Sequence, residues 1–373
     1  MYASGLTHLK GILHTEYNEY DSIIKPILIY LESQGVQFRT NTTVTDITVD
    51  NNLTETVVTG LTYKSSEGEE AINLNRKDLV IFTNGSLTQN ATLGDTNTIA
   101  KINYDVKDRG CFTLWEKLAS IDPKFGNPAN FISNVDKSNF ISFFPTFKGD
   151  RTFFDYMEKK TGNIAGTGGA MTIVDSSWKI SFVLYGKYYP DQPEDVQVLW
   201  AYGQCSDVPG DYIKKPMQEC TGAEMMAELL YHCGLKDKIT DILKNVSVST
   251  ATLPYTTSQF MPRKISDRPK VIPDGCVNLA FIGQFVELPG DVVFTVETSV
   301  RTAMMAVWGL THLDKPMIPL FEPMYDIRAI AGNIKATTGI KQFSPLTLPM
   351  ALKGGLTMGE LVDMFNHLPD LPC

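Results

Sequence analysis

A four-residue apolar run, Leu279-Ala-Phe-Ile282, ends abruptly at Gly283 and constrains this chain more than any other feature. After Gly283 the sequence reads Gln-Phe-Val-Glu-Leu-Pro-Gly-Asp-Val-Val-Phe-Thr295. Val296, Val300, Ala303, Met304 and Val307 then recur at helical spacing. A buried parallel strand, a glycine turn and a helix in that order form the strand–turn–helix on which a two-dinucleotide-binding flavoprotein closes. Backbone is delivered to the flavin ring, and a helix N-terminus faces the polar edge of the cofactor. Such a fold normally opens on a Gly-x-Gly-x-x-Gly turn after its first strand, and no such spacing occurs in the 373 residues.

Composition narrows the function classes. With 43% hydrophobic and 20% charged residues, the chain has the make-up of a globular protein of two or three domains. A net charge of −9 argues against nucleic acid as a partner, because a phosphate backbone attracts a basic face. No run of about 20 apolar residues predicts a transmembrane helix, and no leader pattern opens the chain. The six cysteines stand far apart without nearby histidines, which predicts reduced thiols, no metal centre and a cytoplasmic setting.

Along the chain, a helix is expected from Ser22 to Gly35, with Pro26 in its first turn. Short strands are expected at 36–38, 43–49, 56–63, 71–74 and 79–82, the last breaking at Thr83-Asn-Gly-Ser86. From 101 to about 270 aromatic residues become dense, strands at 170–174 and 179–185 alternate with polar turns, and 221–235 reads as a helix. That aromatic layer suits either plain core or a long apolar substrate channel. Beyond Pro316 the chain is rich in proline and ends on an amphipathic stretch from Met358 to Phe365. The stretch suits a lid, a dimer contact or, least well given its acidic residues, a membrane-surface helix.

Several segments resemble, at close to motif identity, the oleate hydratase family, also called myosin-cross-reactive antigens. They are Glu16-Tyr-Asn-Glu-Tyr-Asp-Ser-Ile-Ile-Lys-Pro26, Gly35-Val-Gln-Phe38 with Thr43-Val-Thr-Asp-Ile47, and Val80-Ile-Phe-Thr-Asn-Gly-Ser86. Asp122 to Pro128, Pro209 to Met217, Glu219 to Gly222, Phe260 to Arg263, Asp267 to Gly275 and the Ala280 stretch continue in family order. The resemblance implies an α/β (α+β overall) fold: a partial Rossmann-like FAD-binding domain, an inserted mixed β/α substrate domain and a helical C-terminal tail. The expected boundaries are a lead segment 1–20, the second half of the FAD domain 21–100, the fatty-acid domain 101–270, a return to the FAD domain 271–315 and the tail 316–373.

The implied activity is addition of water to the cis-9 double bond of oleate or linoleate, giving a 10-hydroxy acid with FAD in a structural, non-redox role. Such chemistry needs a proton donor at one alkene carbon, a held water at the other and a bent apolar channel. The resemblance assigns the donor to Tyr17, with Tyr20 second; Glu16 and Glu19 read as solvated turn carboxylates. It assigns the cofactor to Val44 for adenine, Thr83, Asn84, Gly85 and Ser86 on the pyrophosphate side, and Gly283, Gln284 and Phe285 with Asp291 to Thr295 at the ring. Lys214, Lys215 and Arg263 are candidate partners of the fatty-acid carboxylate, although a lysine pair is also an ordinary solvated face. The family's water-activating glutamate lies upstream of these segments, so an N-terminally truncated chain with a weak grip on FAD and doubtful activity is expected. The alternative is a non-catalytic homologue that binds fatty acid or dimerises.

Overall fold

The computed structural model describes residues 15–105, 110–167, 169–290 and 296–320. The expected tail after 320 and the Asp291 to Thr295 turn lie outside the described residues.

The first described element is a π-helical turn, Tyr20–Ile24, running directly into α1, Lys25–Ser33. Pro26 occupies the first turn of α1, where a missing N–H costs nothing. Gly35 ends it with φ +85°, a left-handed position where glycine carries no steric penalty. No residue of α1 is buried, and Ile24, Ile27, Ile29 and Tyr30 are exposed. The expected strand at 36–38 is not formed: the segment is irregular, and the Val36 N–H turns back to the Leu31 carbonyl at the end of α1, at 3.1 Å.

Three antiparallel strands follow as a meander, β1 Thr43–Asn51, β2 Thr56–Ser65 and β3 Gly68–Asn73. The β1–β2 turn is closed by the Asn52 carboxamide, which accepts the backbone N–H of Thr54 and Glu55. Then come β4 Val80–Thr83, β5 Thr92–Gly94 and the buried-faced α2, Cys111–Ile121. Two one-turn helices, α3 Ala129–Ile132 and α4 Val135–Ser138, lead into β6 Phe140–Lys148 and α5 Thr152–Thr161. The chain continues through β7 Met171–Thr172, β8 Ser181–Leu184, β9 Val196–Gly203, α6 Gly222–Cys233, α7 Ile239–Leu243 and β10 Val246–Leu253. It closes on β11 Leu279–Ile282 and α8 Val296–Leu310.

β5, β10, β6, β9, β8 and β7 make one six-stranded antiparallel sheet in that order. Phe147 and Phe182 of the sheet and Phe153 and Phe154 of α5 form core with Trp178 and with Met225, Leu229 and Leu230 of α6. The fold is thus mixed α/β. α6 is set at its start by a reciprocal capping box, Thr221 with Glu224, and at its end by left-handed Gly234. β4 and β11 form a separate parallel pair, and a second core joins β11 to Ile47, Val58, Leu118, Phe125 and Ala306. Among the described residues, no helix is long and apolar enough to cross a membrane.

Cys220 and Cys233 are buried in the first core, and burial pushes both thiols up to about 12. Neither is expected to react with iodoacetamide at about pH 8 in the folded protein, since the thiolate is the nucleophile. Peptide mass spectrometry should find both labelled only after denaturation. Labelling at native rates comparable to a free thiol would contradict this packing.

Candidate functional site

β4 and β11 run in parallel with Val80 beside Leu279 and Thr83 beside Ile282, so both strands end at one level. The turns that follow, Asn84-Gly85-Ser86 and Gly283-Gln284-Phe285, therefore lie side by side. Asn84 is fully buried and ties them: its Nδ2 donates to the Phe285 carbonyl at 2.9 Å. Its Oδ1 is buried without a hydrogen-bond partner. Gly283 has φ +96°, and its N–H donates to Thr302 Oγ1 at 3.0 Å, anchoring the turn to α8. Thr302 Oγ1 donates in turn to the Thr298 carbonyl at 3.0 Å.

Gly85 is required for a different reason. A Cβ there would lie 2.6 Å from Phe285 Cδ2 and 2.7 Å from Phe112 Cε1. Those rings belong to an aromatic cluster in which Phe112, Trp115 and Phe131 all pack within 6 Å of Phe285. Gly85→Val is expected to destabilise the fold by about 1–3 kcal/mol through overpacking, read in urea melts; an unchanged melting midpoint would contradict the packing. Thr83 is exposed and Ser86 half-buried, with Ser86 Oγ accepting the Thr88 N–H. Val44 sits on β1 of the separate meander and is exposed.

The tyrosine turn is organised by Asn18. Its N–H and its Nδ2 both donate to the Tyr188 carbonyl, at 2.9 and 3.1 Å, while its Oδ1 accepts the Asp21 N–H at 3.0 Å. Tyr17 N–H donates to Ser22 Oγ. The turn thereby docks on the 185–192 segment, where Gln192 Oε1 accepts the Tyr188 N–H at 2.8 Å. Tyr185 and Tyr188 pack with ring centroids 4.6 Å apart. The hydrogen bond from the Tyr17 phenol to Glu16, and then the charge of Glu16, hold its pKa above the ordinary tyrosine value. Burial, then its tyrosine neighbour and Glu19, push Tyr185 up to about 12. Both phenols are therefore protonated at neutral pH. Tyr20 is exposed.

The segment Pro209 to Met217, which carries Lys214 and Lys215, is stapled from below by Glu228 of α6. That carboxylate is fully buried and accepts the N–H groups of Asp211 at 2.6 Å, Tyr212 at 3.0 Å and Ile213 at 2.8 Å. His232, one turn on, contacts both Glu228 and Asp211, at 3.2 and 3.1 Å. Gly210 is pinned against the staple, since a Cβ would meet Glu228 Oε2 at 2.9 Å. Asp211, Glu228 and His232 bring their ligand-type atoms within 4.8 Å of one another. The lone pairs of Glu228 are already committed to three backbone donors, which makes the group a loop anchor. Sequence reading passed over it; the Glu228-x-x-x-His232 spacing on a helix was the available signal.

Lys214 lies exposed in this loop with φ +63°, and Lys215 is paired with Glu224 at 2.7 Å. Arg263 is paired with Glu287 at 2.7 Å. Two of the three candidate carboxylate partners thus already face an acid of the protein.

A family model described as the MCRA family matches residues 2–308. The chain is 38% identical over 358 residues to a Streptococcus pyogenes serotype M49 (strain NZ131) protein named oleate hydratase, an alignment covering 93% of this chain and 60% of that one. It is 32% identical over 346 residues to a Lactiplantibacillus plantarum protein named linoleate hydratase, covering 86% of this chain and 60% of the relative. The chain therefore spans 60% of the length of both relatives.

Proposed function

The chain belongs to the MCRA family, and from that premise we propose that it serves the addition of water to the cis double bond of a long-chain unsaturated fatty acid, giving a 10-hydroxy acid from oleate or linoleate. One observation carries the reading: a single family match runs through both the tyrosine turn and the paired strand ends. The names of the two relatives support the substrate class. Oleate and linoleate are the substrates this reading commits to.

In this proposal Tyr17 delivers the proton to one alkene carbon, and Tyr20 is the second candidate. The Asn18 bonds to the Tyr188 carbonyl fix the backbone that carries Tyr17, so the phenol is positioned before substrate arrives. The raised pKa makes Tyr17 a reluctant acid, so proton delivery requires the site to favour the phenolate as it forms. The hydrocarbon would lie against the six-stranded region, outside its packed aromatic core, with Lys214, Lys215 or Arg263 at its carboxylate.

FAD is the proposed cofactor. Gly283, left-handed at the end of β11, keeps a side chain off that strand end, and the buried Asn84 Oδ1 is an acceptor without a donor. These features fit the ring-bearing end of a flavin, with Gly283, Gln284, Phe285, Asp291 and Thr295 at the ring, Thr83, Asn84, Gly85 and Ser86 toward the pyrophosphate, and Val44 at the adenine. Bound flavin would supply shape and local field without net redox change. A run of backbone donors for the pyrophosphate, as Gly-x-Gly-x-x-Gly provides, is not in the sequence. A second reading is a fatty-acid-binding protein without catalysis. A cytoplasmic setting belongs to the same proposal.

The test is incubation of the protein with oleate and excess FAD, followed by mass spectrometry of the extracted acids. A product heavier by one water supports hydration. Oleate binding without product favours the second reading, and a desaturated or keto product contradicts both.

A further inference from the structure

One cation of the described structure lacks the acceptor its burial demands. Arg268 is 3% exposed, and its guanidinium lies over the Phe131 ring with the central carbon 5.6 Å from the centroid. Nη2 donates to the Gln259 carbonyl at 3.1 Å. Nε and Nη1 are closed to solvent and have no hydrogen-bond partner. The neighbouring acid, Glu287, is engaged by both terminal nitrogens of Arg263, at 2.7 and 3.5 Å. Burial, then repulsion by Arg263, pull the Arg268 pKa down to about 10, which leaves it charged at neutral pH. A guanidinium offers five N–H donors, and leaving them unmet in a dry site is unfavourable until an anion arrives.

Arg268 is also part of the wall of a cleft of about 900 Å³. Much of the remaining wall is apolar, with Ile265, Val271, Ile272, Pro289 and Met305, and Glu287, the acid paired with Arg263, stands in the same wall. The two lysines of the wall each have an acid of their own: Lys124 lies 3.6 Å from Asp122, and Lys270 lies 2.8 Å from Asp274. Arg263 and Arg268 share the one carboxylate of Glu287, and an apolar cleft of this size with one net positive charge left over matches an amphiphile with a single negative head.

We propose that this cleft binds a carboxylate-headed hydrocarbon, with the carboxylate received by the free N–H groups of Arg268 and the chain laid along Ile265, Val271, Ile272, Pro289 and Met305. Because Nε and Nη1 are closed to solvent, the head enters with a local shift of the short turn Ile265–Asp267, whose Ile265 is 77% exposed. The choice of a long-chain acid as ligand rests on the fatty-acid reading above. The site itself rests on Arg268 and its cleft.

Calorimetric titration of the full chain with oleate and with oleyl alcohol tests it, using wild type, Arg268→Gln and Met305→Trp. Arg268→Gln is expected to weaken oleate by roughly tenfold or more, the worth of a charge-assisted hydrogen bond, and to leave oleyl alcohol unchanged. Met305→Trp, which narrows the cleft without altering charge, is expected to weaken both ligands. A thermal melt guards against misfolding: removing an unneutralised buried cation should leave the melting temperature unchanged or raised. Oleate binding that neither substitution weakens overturns the site while leaving the fatty-acid reading intact. A lower melting temperature for Arg268→Gln with unaltered oleate affinity assigns the arginine to packing and likewise overturns the site. A wild-type protein that binds no oleate overturns the site and the reading together.

Discussion

Replacing Glu228 by alanine is expected to lower the unfolding free energy by about 3–5 kcal/mol, the scale for removing one partner from a buried charged network. Three backbone N–H groups, those of Asp211, Tyr212 and Ile213, lose their acceptor at once, and His232 loses one of its two acidic contacts. Other ties, Ser177 to Asp211 and Lys215 to Glu224, hold the loop through single side chains and supply no acceptor for those three N–H groups, so the loop and the facing end of α6 should loosen together. Glu228→Gln keeps the shape but turns an N–H toward one of those donors, and should fall between wild type and alanine. Urea melts at neutral pH measure both; a loss under about 1 kcal/mol for alanine would contradict the staple.

Acid should weaken the same anchor. The Ser177 backbone N–H, then its hydroxyl and His232, hold Asp211 below the usual carboxylate range. A depressed folded pKa contributes stability that is present above the unfolded value of about 3.9 and is lost as pH falls through the folded one. Erosion is therefore expected below about pH 4.

Tyr17→Phe is expected to cut the oleate hydration rate by roughly 100-fold or more, the span of a lost general acid, with oleate affinity nearly unchanged. The substitution removes one oxygen from a turn whose backbone is held by Asn18 and Ser22 rather than by the phenol. Glu16→Gln gives the complementary check. Since the Glu16 hydrogen bond raises the Tyr17 pKa, its removal should lower the pH at which that phenol ionises. If Tyr17→Phe turns over oleate at the wild-type rate while Tyr20→Phe does not, the donor is Tyr20.

What the sequence disclosed follows from how local each signal is. Leu279–Ile282 forms its strand as read, because an apolar run stopped by a glycine carries its own boundaries. The helix at 221–235 was equally legible, since Thr221, Glu224 and Gly234 mark both ends in the chain itself. Val36-Gln-Phe38 has strand composition but pairs with no strand among the described residues, and composition does not report partners. The strand expected at 170–174 shortens to Met171–Thr172, an edge of its sheet.

The candidate site divides the same way. Gly85 and Gly283 were visible as turn glycines at strand ends, but the steric reason for Gly85 lies in Phe112 and Phe285, distant in sequence. The Glu228 staple was hidden because its partners are backbone groups some 15 residues earlier, which carry no residue-type signature. Arg268 was hidden for the opposite reason: an arginine in a charged segment looks solvated until its burial is known.

The central claim, water addition without net oxidation, is tested most directly by running the oleate reaction in deuterated water with excess FAD. The account predicts a 10-hydroxy acid carrying one carbon-bound deuterium at the neighbouring carbon, the proton that Tyr17 relays from solvent. A product without that deuterium, a desaturated or keto product, or oleate recovered unchanged from a protein that binds it would contradict the claim.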